Sequence, residues 1–173
     1  TLKHLDVSHN QLSWIGAGEL SNYLSTPNSL TDLNLAWNNL RRKGGKIIFD
    51  TLADNNMAST DLSTLNVDWN GLDGTVMSSM SRWLAESQSM QHLTFSNNNI
   101  DSNGAIEMAA MLEDNLALEY LDASFNPLGT VGTKAIIKSL ERNESLKVLR
   151  CIRTCVACGS DKSIQREEID DIL

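Results

Sequence analysis

The sequence predicts an α/β repeat solenoid, a horseshoe with short parallel strands on its concave face and a helix after each strand on the convex side. Three observations carry that prediction. Asparagine recurs at Asn10, Asn38, Asn70, Asn98 and Asn126, each two residues before an apolar residue. The phrases containing these asparagines repeat every 28 residues, apart from one interval of 32. Within each period, apolar residues first alternate with polar ones and then recur every four residues, a strand pattern followed by a helix pattern.

The first phrase is Leu2-Lys-His-Leu5-Asp-Val7-Ser-His-Asn10-Gln-Leu12, and others run Leu30 to Leu40, Leu62 to Leu72, Met90 to Ile100 and Leu118 to Leu128. The longer interval, Leu30 to Leu62, places four extra residues most simply within 56–61. A sixth, degenerate phrase opens at Leu146 and has Thr154 where asparagine is expected. In the second repeat Leu33 and Leu35 point into the core, while Asn34 and Ala36 point out. The asparagine that follows carries two amide donors and an acceptor, so it can satisfy backbone groups in the bend and in the next repeat. An aliphatic residue there would leave buried polar groups unpaired, at roughly 1 to 3 kcal/mol each.

Gly16, Gly44, Gly104 and Gly132 each fall six residues past their asparagine. Helix pairs follow at Leu20/Leu24, Ile48/Leu52, Met80/Leu84, Met108/Leu112 and Ile136/Leu140, each pair on one helix face. The third repeat has Val76 in the glycine's place and Gly74 two residues early, which predicts a shifted helix start. Asn55, Asn115 and Asn143 stand three residues beyond the last apolar position, where a left-handed asparagine would end the helix. Repeats occupy 1–159. The tail, 160–173, reads as a polar capping helix with Ile164, Ile169 and Ile172 as its apolar contacts.

This 28-residue pattern resembles the ribonuclease-inhibitor type of leucine-rich repeat over nearly all of residues 2 to 156. The resemblance implies the curved solenoid, and a protein-binding surface in place of an active site. The phrases Ala36-Trp37-Asn38-Asn39-Leu40 and Asp68-Trp69-Asn70-Gly71-Leu72 are most similar to the cytoskeletal and ciliary members. A solenoid's first repeat needs a polar cap, yet Thr1-Leu2 opens inside a repeat, so the chain is expected to be a fragment with further repeats upstream.

Composition narrows the function. A net charge of -8 argues against nucleic acid, whose phosphates require clustered cations. The one basic cluster is Arg41-Arg42-Lys43 with Lys46, ordinarily a solvated loop. No apolar run approaches the roughly 18 residues a membrane span needs. Cys151, Cys155 and Cys158 lack a nearby fourth ligand for zinc, and an odd cysteine count without a framework suits a reducing cytosol. Nucleotide-binding, metalloprotease and hydrolase motifs are missing, so neither a cofactor nor an enzymatic activity is expected.

The candidate site is a column. The residue before each asparagine runs His9, Trp37, Trp69, Asn97, Phe125 and Arg153. Aromatics are over-represented in binding hot spots, so Trp37, Trp69 and Phe125 are the leading partner contacts; the competing reading is a ladder that only stiffens the edge. Asp6, Asp68 and Asp122 lie beside the column, and Asp73 and Asp101 lie in the loops, an acidic rim that favours a basic partner. The expected function is a cytoplasmic, non-enzymatic protein-binding scaffold that holds its partner through the concave face and the ascending loops, within a larger complex, cytoskeletal or ciliary. The alternatives are a GTPase activator of the Ran-activator type, using Asn39, Arg41 and Arg42, and the sensor part of an innate immune receptor.

Overall fold

The computed structural model describes residues 2–54 and 61–154 and the backbone of 163–165. Six short strands form one parallel sheet: β1 (His4–Asp6), β2 (Asp32–Asn34), β3 (Thr64–Asn66), β4 (His92–Thr94), β5 (Tyr120–Asp122) and β6 (Val148–Arg150). Five helices alternate with them: α1 (Ser13–Leu24), α2 (Arg41–Asp54), α3 (Met77–Glu86), α4 (Ser102–Asp114) and α5 (Gly129–Ser139). Leu5, Leu33, Leu65, Leu93, Leu121 and Leu149 are directly paired across the sheet, so the register follows the leucine phrase. From Leu33 onward these leucines are buried. The core lies between the strands and the inward stripes of the helices, where Ile48, Leu52, Met80, Leu84, Met108, Leu112 and Ile136 are fully or almost fully buried.

The register of β2 on β3 is undisturbed, and Leu52 and Leu62 are both buried. The four extra residues of the long interval are therefore absorbed between Leu52 and Leu62; positions 56–60 themselves lie outside the described residues.

The glycine six places past the asparagine marks a close approach of neighbouring helices. A Cβ on Gly132 would sit 2.6 Å from the Ala105 Cβ and 3.1 Å from the Ser102 Cα. The third repeat reaches the same end differently. Asp73 accepts from the Thr75 N–H and caps a 3₁₀ turn, Gly74–Val76, which precedes α3. Gly74 then faces Gly104 of the next helix, where a Gly104 Cβ would lie 3.0 Å from the Gly74 Cα. The shifted helix start is the outcome of that substitution.

Two sequence expectations need correction. Asn115 does not end α4 in the left-handed conformation: its backbone is extended, with φ -75° and ψ 129°. Its side chain does the work, accepting from the Ala117 and Leu118 N–H groups and donating to the Leu84 carbonyl one repeat back. Asn143 does the same with Leu146, Leu112 and Asn115, and Ser87 takes this role in the third repeat. A second polar ladder thus runs along the opposite edge from the first, because helix ends buried between repeats leave carbonyls to be paired. Asn55 lies outside the described residues.

The second correction concerns the tail. Ser163–Gln165 is a strand, β7, antiparallel to β6 and not part of a helix. The outer backbone groups of β6 provide the physical reason, since a sheet edge pairs with any extended segment that reaches it. The remainder of the tail lies outside the described residues.

Candidate functional site

The site begins with the backbone bend that leaves each strand. Asn98 shows how the bend is held. Its side-chain amide donates to the carbonyls of Val67, Phe95 and Ser96, and its Oδ1 accepts from the N–H groups of Asn70 and Leu72. Asn38, Asn70 and Asn126 are buried and bonded the same way. Thr154 retains one of these bonds, to the Cys151 carbonyl.

The residue before each asparagine then turns left-handed. His9, Trp37, Trp69, Asn97, Phe125 and Arg153 have φ of 60°, 60°, 56°, 54°, 57° and 53°. This region is unfavourable for residues with a Cβ, most of all bulky ones. It persists because the bend is held from both sides. The column residue's own N–H donates to the neighbouring repeat, as from Trp37 to the Asp68 carbonyl and from Trp69 to the Ser96 carbonyl. The column therefore lies in the turn between the sheet and the ascending loop, not on the strand itself.

The side chains do not make one continuous ladder. His9, Trp37 and Trp69 stack, with ring centroids 5.3 Å and 4.3 Å apart and planes 14° apart in both pairs. Asn97 interrupts the column, and Phe125 begins a second, smaller group with the Arg153 guanidinium 5.8 Å from its ring. Stacking does not bury the rings: Trp37, Trp69 and Phe125 remain 45%, 47% and 42% exposed. Trp83, by contrast, is packed into the core beside Phe49.

The aspartates are less available than the sequence suggests. Asp68 accepts from the Ser96 N–H at 2.6 Å, one repeat on, and burial raises its pKa above the usual carboxylate value. Asp122 accepts from the Ser124 N–H and lies 3.6 Å from the Arg150 guanidinium. Asp6 accepts from the Ser8 N–H and the Asn34 amide, and hydrogen bonding from the Ser8 side chain first, then from these two groups, lowers its pKa. Asp73 and Asp101 cap helical turns. Each of these carboxylates already serves the fold.

The basic loop is arranged differently. Arg41 donates through Nε to Asn39 Oδ1, and its stem passes beside Gly71 of the next repeat. Lys43 places its ammonium 3.2 Å from the centre of the Trp14 ring. The Trp14–Lys43 pair was not visible in the repeat pattern, because neither residue occupies a core or column position. On the concave face His4 pairs with Asp32 at 2.7 Å, and His92 stacks on Tyr120 at 5.7 Å. Among the described residues no group of side chains could hold a metal ion. Cys151 is a buried core residue whose thiol is pushed up to about 12 by burial, with Asp122 adding to it. Cys155 and Cys158 lie outside the described residues.

Stacked strand–loop–helix units bearing an asparagine ladder define a solenoid of the leucine-rich repeat class. A leucine-rich repeat family model matches residues 1–21, 26–48 and 86–109. No curated protein sequence matches the chain. Solved structures share its fold, among them two that match most of the chain. One, Leiomodin-1 Actin-Binding Site 2, has a TM-score of 0.68 and 19% identity, covering 82% of this chain and 80% of that one. The other, the tropomodulin C-terminal domain from Caenorhabditis elegans, has a TM-score of 0.67 and 12% identity, covering 91% and 89%. The chain has the leucine-rich repeat fold.

Proposed function

We propose that this protein is a non-enzymatic scaffold that binds a protein partner through the turn column and the ascending loops beside it, within a cytoskeletal assembly. The observation that carries the reading is the Trp37–Trp69 stack. Two of the largest apolar side chains are held in a costly backbone conformation and still left nearly half exposed. Burial against a partner would recover that apolar surface, and aromatic anchors of this kind dominate binding energies. The similarity in fold to Leiomodin-1 Actin-Binding Site 2 supports actin as the first partner to test. Among the described residues no helix is long and apolar enough to cross a membrane. A ciliary setting is the narrower form of the same reading.

The experiment is a binding measurement with purified actin, monomeric and filamentous, beside a GTP-hydrolysis assay with a Ran-type GTPase. Saturable binding to actin without stimulated hydrolysis supports the scaffold. Stimulated hydrolysis that is lost with Arg41→Ala would instead favour the activator reading.

A further inference from the structure

We propose that the ascending-loop edge of the second and third repeats is a docking surface for an acidic segment of a partner protein. Arg41, Arg42 and Lys43 would meet its carboxylates, and the outward edges of Trp37 and Trp69 would meet its apolar side chains and carbonyls. This deepens the scaffold reading and rests on it, and it reverses the partner charge expected from the aspartates.

The cations come first. Lys46, Arg82, Arg142, Lys147 and Arg150 each lie within ion-pair distance of a carboxylate. Arg41, Arg42 and Lys43 have no ion pair among the described residues, although the chain carries eight more acidic than basic side chains. They also stand in the first turn of α2, which holds no acidic residue. The helix field opposes cations at that end, and among the described residues they are met only by the Trp14 ring, at Lys43, and the Asn39 amide oxygen, at Arg41, neither of which neutralises their charge. An incoming carboxylate would be favoured by the side chains and by the helix field together.

The rings point the same way. Trp69 covers one face of the Trp37 ring and His9 covers the other. What Trp37 exposes is therefore mostly its rim, and a ring's rim carries the positive end of its quadrupole. Neither the Trp37 nor the Trp69 indole N–H has an acceptor among the described residues, so both can donate outward. Arg41 joins the two features: it follows Trp37 by four residues, and its stem packs beside Gly71, two residues past Trp69. Asp68, the carboxylate nearest Trp69 in sequence, is turned to the Ser96 N–H and half-buried. A nucleic acid strand is disfavoured, because bases need open ring faces for stacking and the chain as a whole repels phosphate.

The test uses the 173-residue chain labelled with nitrogen-15. It is titrated with a short peptide alternating glutamate and leucine, with its lysine–leucine counterpart, and with an oligothymidylate. Trp37→Ala and Trp69→Ala identify the two indole signals. The glutamate peptide is expected to shift both, to leave that of buried Trp83 in place, and to bind more weakly as salt rises. Arg42→Glu with Lys43→Glu should weaken binding by about tenfold or more in a chain that remains folded, as should Trp69→Ala, while Lys134→Glu, exposed in the middle of α5, leaves binding unchanged. Equal or tighter binding of the lysine peptide overturns the proposal, as does preferred binding of the oligothymidylate. So does indifference to the charge reversal, or to Trp69→Ala. If actin binds through Trp69 but the glutamate peptide shifts neither indole signal, the acidic-partner inference fails and the scaffold stands.

Discussion

Asn98 holds Asn70 in place: its Oδ1 accepts from the Asn70 N–H at 3.1 Å and from the Leu72 N–H at 2.9 Å, so one side chain closes the bend of the preceding repeat. The same amide donates to three carbonyls. Asn98→Ala therefore orphans groups in two repeats at once. Each buried orphan costs roughly 1 to 3 kcal/mol, so the substitution should destabilise by about 3 kcal/mol or more. Chemical denaturation measures this; a midpoint unchanged by Asn98→Ala would refute the ladder's structural role.

Two glycines should respond in opposite ways to alanine. Gly132→Ala forces a Cβ against Ala105 and the α4 backbone, and overpacking of this kind costs about 1 to 3 kcal/mol. Gly18→Ala, within α1, meets no atom within 4 Å and should stabilise by about 0.5 to 1 kcal/mol through helix propensity. Equal effects in a thermal melt would contradict the account of the repeat glycine.

Asp68 carries a pH prediction. Burial raises its folded pKa above that of the unfolded chain, so the native state holds the proton more tightly. Its contribution to stability therefore falls as pH rises through the window between the unfolded value and the raised folded one. Asp68→Asn keeps an acceptor for the Ser96 N–H and removes the buried charge. The variant should be the more stable one at neutral pH, and its advantage should vanish once the wild-type carboxyl is protonated. A constant difference from acid to neutral pH would rule this out.

The strands should also differ in protection. Among the described residues β1 pairs with β2 alone, Asn10 is exposed where its later counterparts are buried, and Leu2 is exposed. In this 173-residue chain, hydrogen exchange should be faster at the first bend than in β3 and β4, which are paired on both sides. Equal protection at the first and central bends would contradict it.

The strand register, the asparagine ladder and the glycine spacing were legible because each repeats at the period of the backbone geometry that causes it. Asn115 was misread because local propensity favours a left-handed cap. Its actual task, bonding the Leu84 carbonyl, depends on a residue 31 positions away. Asp68 was misread for a related reason: its partner is a backbone N–H one repeat on, which no side-chain pattern announces. In the column, Trp37, Trp69 and Phe125 were found by position. The break at Asn97 and the joining of His9 to the stack follow from ring geometry. The left-handed turn beneath the column was hidden, since no propensity argument places tryptophan at positive φ.

The central claim is that the Trp37–Trp69 stack serves a partner and not the fold. The most direct test is one variant, Trp69→Ala, measured twice: actin affinity by titration and stability by thermal melt. The account predicts an affinity loss of about 2 kcal/mol or more with a melting temperature close to wild type. A lowered melting temperature with actin affinity untouched would show that the stack stiffens the edge, and that the binding surface lies elsewhere.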